Sequence, residues 1–164
     1  MSISMITRRR SAGRRQFLPL TAVTASLAII FGSFGAIPNL SAQGRSVTDG
    51  VYTAEQAKRG EGIFNDYGRC YVCHLRNLQG DPQQEAPPLA GPVFQTIWNG
   101  KTVDDLAYTV RYTMPPGRRK GSLLVEEVSD IIAYILQQNG FPAGSRELST
   151  DSNQLKQVMI RRSR

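Results

Sequence analysis

Histidine is nearly missing from this sequence: its 164 residues contain one, His74. Cysteine is almost as scarce, with two, Cys70 and Cys73, and there is one tryptophan, Trp98. Each scarcity excludes something. A single histidine rules out any site with two imidazole ligands. Two cysteines and one histidine fall short of the four ligands that structural zinc needs. No strict alternation of apolar and polar residues runs far enough for a sheet, and no segment repeats. Strong excess of one charge is missing too, once position is considered. The formal net charge is +7, but five arginines (Arg8, Arg9, Arg10, Arg14, Arg15) lie in residues 1–42 beside no acid. The remainder holds 15 basic and 13 acidic residues, and three of those arginines (Arg161, Arg162, Arg164) sit at the C-terminus. A nearly neutral body excludes the basic face of a nucleic-acid binder.

What is present begins with an address. Residues 1–16 are basic, residues 17–36 are uncharged and largely apolar, and Leu40-Ser41-Ala42 supplies small residues. These are the three parts of a secretory signal, with cleavage expected after Ala42 and a periplasmic destination. Arg14-Arg15-Gln16-Phe17-Leu18 also resembles the twin-arginine export motif. The alternative is a retained membrane anchor over residues 17–36, although Pro19, Thr21, Thr24, Gly32 and Gly35 dilute the apolar run.

The length suits one domain of ordinary size. Residues 43–52 read as a flexible lead-in. Thr53 reads as a helix N-cap with Gln56 three residues on, and Ala57, Gly60, Phe64 and Tyr67 share one helical face. Residues 75–100 carry Gly80, Pro82, Pro87, Pro88, Gly91, Pro92 and Gly100 and read as irregular. So long an irregular stretch suits a compact domain only if it wraps an apolar ligand that replaces part of the core. Thr102 caps a second helix, with Val103, Leu106, Tyr108 and Val110 on its apolar side. Met114-Pro115-Pro116-Gly117 must be loop. A third helix runs from about Leu124 to Gln138, apolar at Val128, Ile131, Ile132, Ile135 and Leu136 and ended by Asn139-Gly140. Residues 142–164 read as a polar tail, lying on the domain or loose. The expected organisation is a signal over 1–42, a domain over 50–141 and a tail over 142–164.

The chemistry is concentrated in Cys70-Tyr71-Val72-Cys73-His74. Cys-x-x-Cys-His is the attachment signature of c-type haem. Two thiols must reach vinyl groups on neighbouring pyrroles at once, and a two-residue gap on one helical turn provides that reach. The next residue then aims its imidazole at the iron. A thioredoxin-like pair would need a βαβ setting that this sequence lacks, and a disulfide between the two cysteines leaves His74 without a role. One covalent haem c, with His74 on the iron, is the expectation. In the mature chain the sixth ligand is Met114 or Met159. Met114 starts a rigid Pro-Pro-Gly loop between helices, while Met159 lies in the polar tail; Met114 is the expected ligand.

These residues resemble the class I cytochrome c family over about residues 50–141. Met114-Pro115-Pro116-Gly117 is similar to the family's Met-Pro distal loop. Gly60 and Phe64 resemble the glycine and aromatic of its N-terminal helix, and Asp130-Ile131-Ile132-Ala133-Tyr134-Ile135 resembles the C-terminal helix that crosses it. Ala86-Pro87-Pro88-Leu89-Ala90-Gly91 is similar to its proline-leucine loop. Two departures stand out: an inserted Gly68-Arg69 stretch before the first cysteine, and no Ser or Asp cap near Leu123-Leu124, which should weaken that helix end by about 1 kcal/mol.

The resemblance implies an all-α fold, three main helices with Pro/Gly-rich loops around one haem. It implies that the Pro87 carbonyl bonds His74, that Leu89, Trp98 and Pro115 pack at the porphyrin, and that Trp98 bonds a propionate. It implies an electron carrier rather than an enzyme, working between a periplasmic dehydrogenase and an acceptor such as a terminal oxidase. Arg118, Arg119 and Lys120 would ring the haem edge and steer an acidic partner. The stretch from Ala86 to Gly117 is similar to small cytochromes that accompany quinoprotein dehydrogenases, so a haem subunit docked through the tail is the alternative. An open-site haem enzyme or sensor is a further one and requires Met114 off the iron.

Overall fold

A computed structural model describes residues 44–117 and 120–162. The expected export segment, residues 1–42, and Arg118, Arg119 and Arg164 lie outside the described residues. The chain order is β1 (Arg45–Ser46), α1 (Ala54–Asn65), α2 (Tyr71–His74), α3 (Pro92–Trp98), α4 (Val103–Thr113), α5 (Val125–Gln138), α6 (Ser152–Leu155) and β2 (Val158–Met159). The architecture is all-α, with one two-residue parallel pairing of β1 with β2. No helix among the described residues is long and apolar enough to cross a membrane.

Helix α1 starts where Thr53 accepts a hydrogen bond from the Gln56 amide at 3.1 Å, satisfying one of the free donors of its first turn. It buries Ala57, Gly60, Ile63 and Phe64 against α5, which buries Val128, Ile131, Ile132, Ile135 and Leu136. The two helices cross at Gly60, where the absent side chain lets the backbone of Asp130 approach. Arg59 locks the crossing with Nε and Nη2 on the two Asp130 carboxylate oxygens, both at 2.9 Å. Its Nη2 also reaches Glu147 at 2.9 Å. Such bidentate pairing adds geometric definition as well as attraction. Tyr67 and Tyr108 depart from expectation. Helix α1 stops at Asn65, so Tyr67 falls outside its buried stripe, exposed, with its hydroxyl donating to Glu127 at 2.9 Å. Tyr108 lies off the Val103, Leu106, Val110 stripe and stacks on Tyr112 in solvent.

Helix α4 opens with a complete capping box: Thr102 accepts from the Asp105 amide, and Asp105 accepts from the Thr102 amide at 2.8 Å. Helix α5 has half of one. Leu124 offers no side-chain oxygen, but the Glu127 carboxylate accepts from its amide at 2.8 Å.

Three sequence readings need correction. Residues 75–100 are not wholly irregular, because Pro92 sits in the first turn of α3, where its missing N–H is no loss. Residues 44–52 are not a loose lead-in, since Val47, Val51 and Tyr52 are buried. The segment after residue 141 lies on the domain rather than loose, and it is not merely a polar tail. Its scattered apolar residues, Leu148, Leu155, Val158 and Ile160, are buried. Together the two ends form a clasp. Tyr52 donates its hydroxyl to the Phe141 carbonyl at 2.6 Å, Gln56 bonds both backbone groups of Leu148, and Ile160 exchanges backbone bonds with Gly100 and Lys101 at 2.8 Å. Sequence periodicity could not reveal this, because the residues concerned follow no helical or strand spacing and find their partners across nearly the whole domain.

Candidate haem-binding site

Helix α2 is a single turn, and its purpose is placement. The His74 amide bonds the Cys70 carbonyl at 2.9 Å, which sets both thiols and the imidazole on one short rigid element. The thiols are unpaired. Burial pushes the Cys70 thiol up to about 11. Cys73 Sγ donates to Gln84 Oε1 at 3.1 Å, while Gln84 Nε2 ties back to the Val72 carbonyl at 3.0 Å and to Asp81 at 2.8 Å. Gln84 therefore tethers the helical turn that carries the two cysteines, a role the sequence did not signal.

His74 is buried, and its Nδ1 lies 3.0 Å from the Pro87 carbonyl oxygen. A carbonyl can only accept, so Nδ1 carries the proton and Nε2 presents a lone pair. Burial lowers the ring's pKa below the usual histidine value, partly opposed by the Pro87 bond. The neutral ring with one nitrogen pinned is the form in which imidazole binds metal.

Nε2 makes no hydrogen bond to the described residues, and His74 stands in the wall of an apolar cavity of about 140 Å³. Cys70 and Cys73 share the proximal wall with Pro87, Pro88 and Leu89. Helix α3 contributes Ile97 and Trp98, and α5 contributes Ile131 and Ile135. Helix α4 contributes Leu106, Thr109 and Val110, a stripe that leads straight to Met114, Pro115 and Pro116. Every expected site residue, Cys70, Cys73, His74, Pro87, Leu89, Trp98, Met114 and Pro115, thus borders this one cavity. Met159 does not: it lies in β2, paired with Ser46. The α4 stripe was visible in the sequence through Val103, Leu106 and Val110, but nothing in that pattern distinguishes a cofactor wall from an ordinary core.

The donor chemistry fits a covalently held haem. Two thiols, a free imidazole nitrogen and a thioether sulfur stand around one apolar space. Among the described residues no cluster of three or more His, Cys, Asp or Glu side chains offers an alternative cage for a bare ion.

Comparison with known proteins agrees. The family model described as cytochrome c matches residues 57–139, half of the chain. No curated protein and no solved structure shows a significant match. The match spans the crossing of α1 and α5, the Cys70–His74 turn and the Met114 loop, and the all-α fold agrees with it. The chain belongs to the class I cytochrome c family, whose members hold haem c covalently and use it to transfer electrons.

Proposed function

We propose that this cytochrome is a periplasmic one-electron carrier with a single haem, exported by residues 1–42 and working between a dehydrogenase and a downstream acceptor such as a terminal oxidase. Cys70 and Cys73 would hold the haem through thioether bonds, and His74 Nε2 and Met114 Sδ would serve as the protein donors to its iron. When bound, the haem supplies a one-electron ferric/ferrous couple. The observation that carries the reading is that His74 and Met114 border the same apolar cavity while Met159 lies elsewhere.

Each residue then has a task. The Pro87 carbonyl orients the imidazole and strengthens it as a donor. Met114, held by Pro115 and Pro116, would offer its thioether sulfur to the iron, a ligand that favours the reduced state. With His74 and Met114 both on the iron, the protein would leave no site there for a substrate, which suits outer-sphere electron transfer. Leu89, Trp98 and Pro115 keep water away. Arg118, Arg119 and Lys120 follow the distal loop directly and steer an acidic partner to that edge.

A haem stain on a denaturing gel tests the covalent attachment. The far-red sulfur-to-iron band of the oxidised protein tests Met114. A missing band together with rapid cyanide binding would replace the carrier with an open-site haem protein. Co-purification from the native host would separate a free shuttle from a subunit of a dehydrogenase complex.

A further inference from the structure

The Pro87 carbonyl is only as well placed as the loop that carries it. Residues 86–91 are anchored near His74 by three backbone bonds. Asp81 and Ala86 exchange amide–carbonyl bonds at 3.0 Å, and the Leu89 amide bonds the Leu78 carbonyl at 2.8 Å. Gly80 packs directly under the loop, where a Cβ would meet the Pro87 carbonyl carbon at 2.7 Å. The far end of the loop has a different anchor. The Gly91 amide donates to Asn139 Oδ1 at 3.0 Å, and Asn139 Nδ2 donates to the Leu89 carbonyl at 2.9 Å. The same Nδ2 donates its second hydrogen to the Ile135 carbonyl at 2.8 Å. This amide is buried, with both hydrogens and its oxygen engaged. It joins the last turn of α5 to the loop that holds the proximal histidine.

We propose that Asn139 is a positioning residue for the proximal side of the haem, holding Leu89 and Gly91 so that the Pro87 carbonyl stays on His74 Nδ1. The inference rests on the reading of His74 as an axial ligand. The physical route is short. Pro87 and Pro88 restrict their own φ angles, so the loop moves as a stiff piece between its two anchors. Releasing one anchor lets the carbonyl swing from the imidazole. A weaker Nδ1–H bond leaves the imidazole a poorer electron donor, and the ferric state loses support relative to the ferrous.

Asn139 is the C-cap of α5 but has φ −92° and ψ 7°, a conformation alanine adopts freely, so Asn139→Ala removes the side-chain bonds without backbone strain. The test uses the haem-loaded protein, with Ile132→Val as a control that loosens the buried side of α5 at a residue outside the cavity wall. In Asn139→Ala the reduced protein should exchange its His74 ring proton at least roughly tenfold faster by NMR, since two of the three hydrogen bonds lost are the ones that reach the loop. The midpoint potential should move upward. Ile132→Val should lower stability and leave both readings at wild type. If Asn139→Ala fails to accumulate with haem, Asn139→Asp, which keeps the acceptor for Gly91 and loses the donors, takes its place, read by ring-proton exchange alone because its new charge would itself lower the potential. A wild-type exchange rate and potential in a destabilised variant would reduce Asn139 to a helix cap and overturn the proposal. Failure of the underlying reading looks different: the wild-type protein would itself lack the haem stain or the far-red band.

Discussion

Gly60 and Asp130 meet backbone to backbone: a methyl group on the α-carbon of Gly60 would overlap the Asp130 carbonyl. No side chain can yield at that point, because both partners are main chain inside helices. The crossing of α1 and α5 therefore depends on the missing Cβ, and with it the position of Phe64 and Ile131 on the haem cavity.

Gly60→Ala should destabilise the holoprotein by at least about 1–3 kcal/mol, the cost of overpacking a close-packed contact. Gly62, two residues on, faces open space. Gly62→Ala should instead stabilise by about 0.5–1 kcal/mol, as expected in an exposed helix interior. Denaturant midpoints of the two variants should move in opposite directions; a common direction would refute the close approach as the cause.

Met114→Ala should abolish the far-red band, lower the potential and admit cyanide rapidly, whereas Met159→Leu should leave all three at wild type. Potentiometry and ligand-binding kinetics measure the difference.

Gln56 is buried and bonds the Leu148 carbonyl and amide at 3.2 and 2.6 Å. Gln56→Ala leaves both without a partner and should cost about 1–3 kcal/mol. Because the bonds tie α1 to the C-terminal clasp, limited proteolysis should cut the segment after residue 141 first. Unchanged protection there would show that the clasp holds without them.

Asp105 accepts from the Thr102 amide and hydroxyl at 2.8 and 2.7 Å, which keeps its carboxyl below the usual range, the backbone bond contributing most. A carboxylate with a depressed folded pKa gives stability that is complete above its unfolded value, near 4, and is lost as pH falls through the folded one. Acid titration of the far-red band should show α4 and the Met114 loop loosening below about pH 4. Asp105→Asn should have a shallower acid limb and should cost about 1 kcal/mol at neutral pH.

Replacing Arg118, Arg119 and Lys120 together with serine should slow reduction by the redox partner at low salt and flatten the salt dependence, while leaving potential and stability unchanged. Stopped-flow rates against ionic strength decide it, and an unchanged slope rules out steering by these three side chains.

Much of this was legible in one dimension because it depends on local spacing. Cys70, Cys73 and His74 lie within one turn, so their joint chemistry needs no tertiary knowledge. Thr53 and Thr102 announce helix starts through hydrogen bonds that span three residues. Residues 92–98 were missed because Pro92 was taken as a breaker, whereas in the first turn it is tolerated. The clasp was missed because Val47, Tyr52, Leu148 and Ile160 show no period.

The sequence by itself determined the attachment turn, the three main helices and the preference for Met114 over Met159, since these rest on residue type and short-range geometry, and the family resemblance pointed to Pro87. Only the tertiary structure put Met114 on the cavity wall and the Pro87 carbonyl 3.0 Å from His74 Nδ1, and showed that Asn139 stands behind that carbonyl. Those outcomes depend on residues 13 to 65 positions from His74 being brought together by the α1–α5 crossing and the closing of the chain ends, and no local pattern encodes a distance across that core.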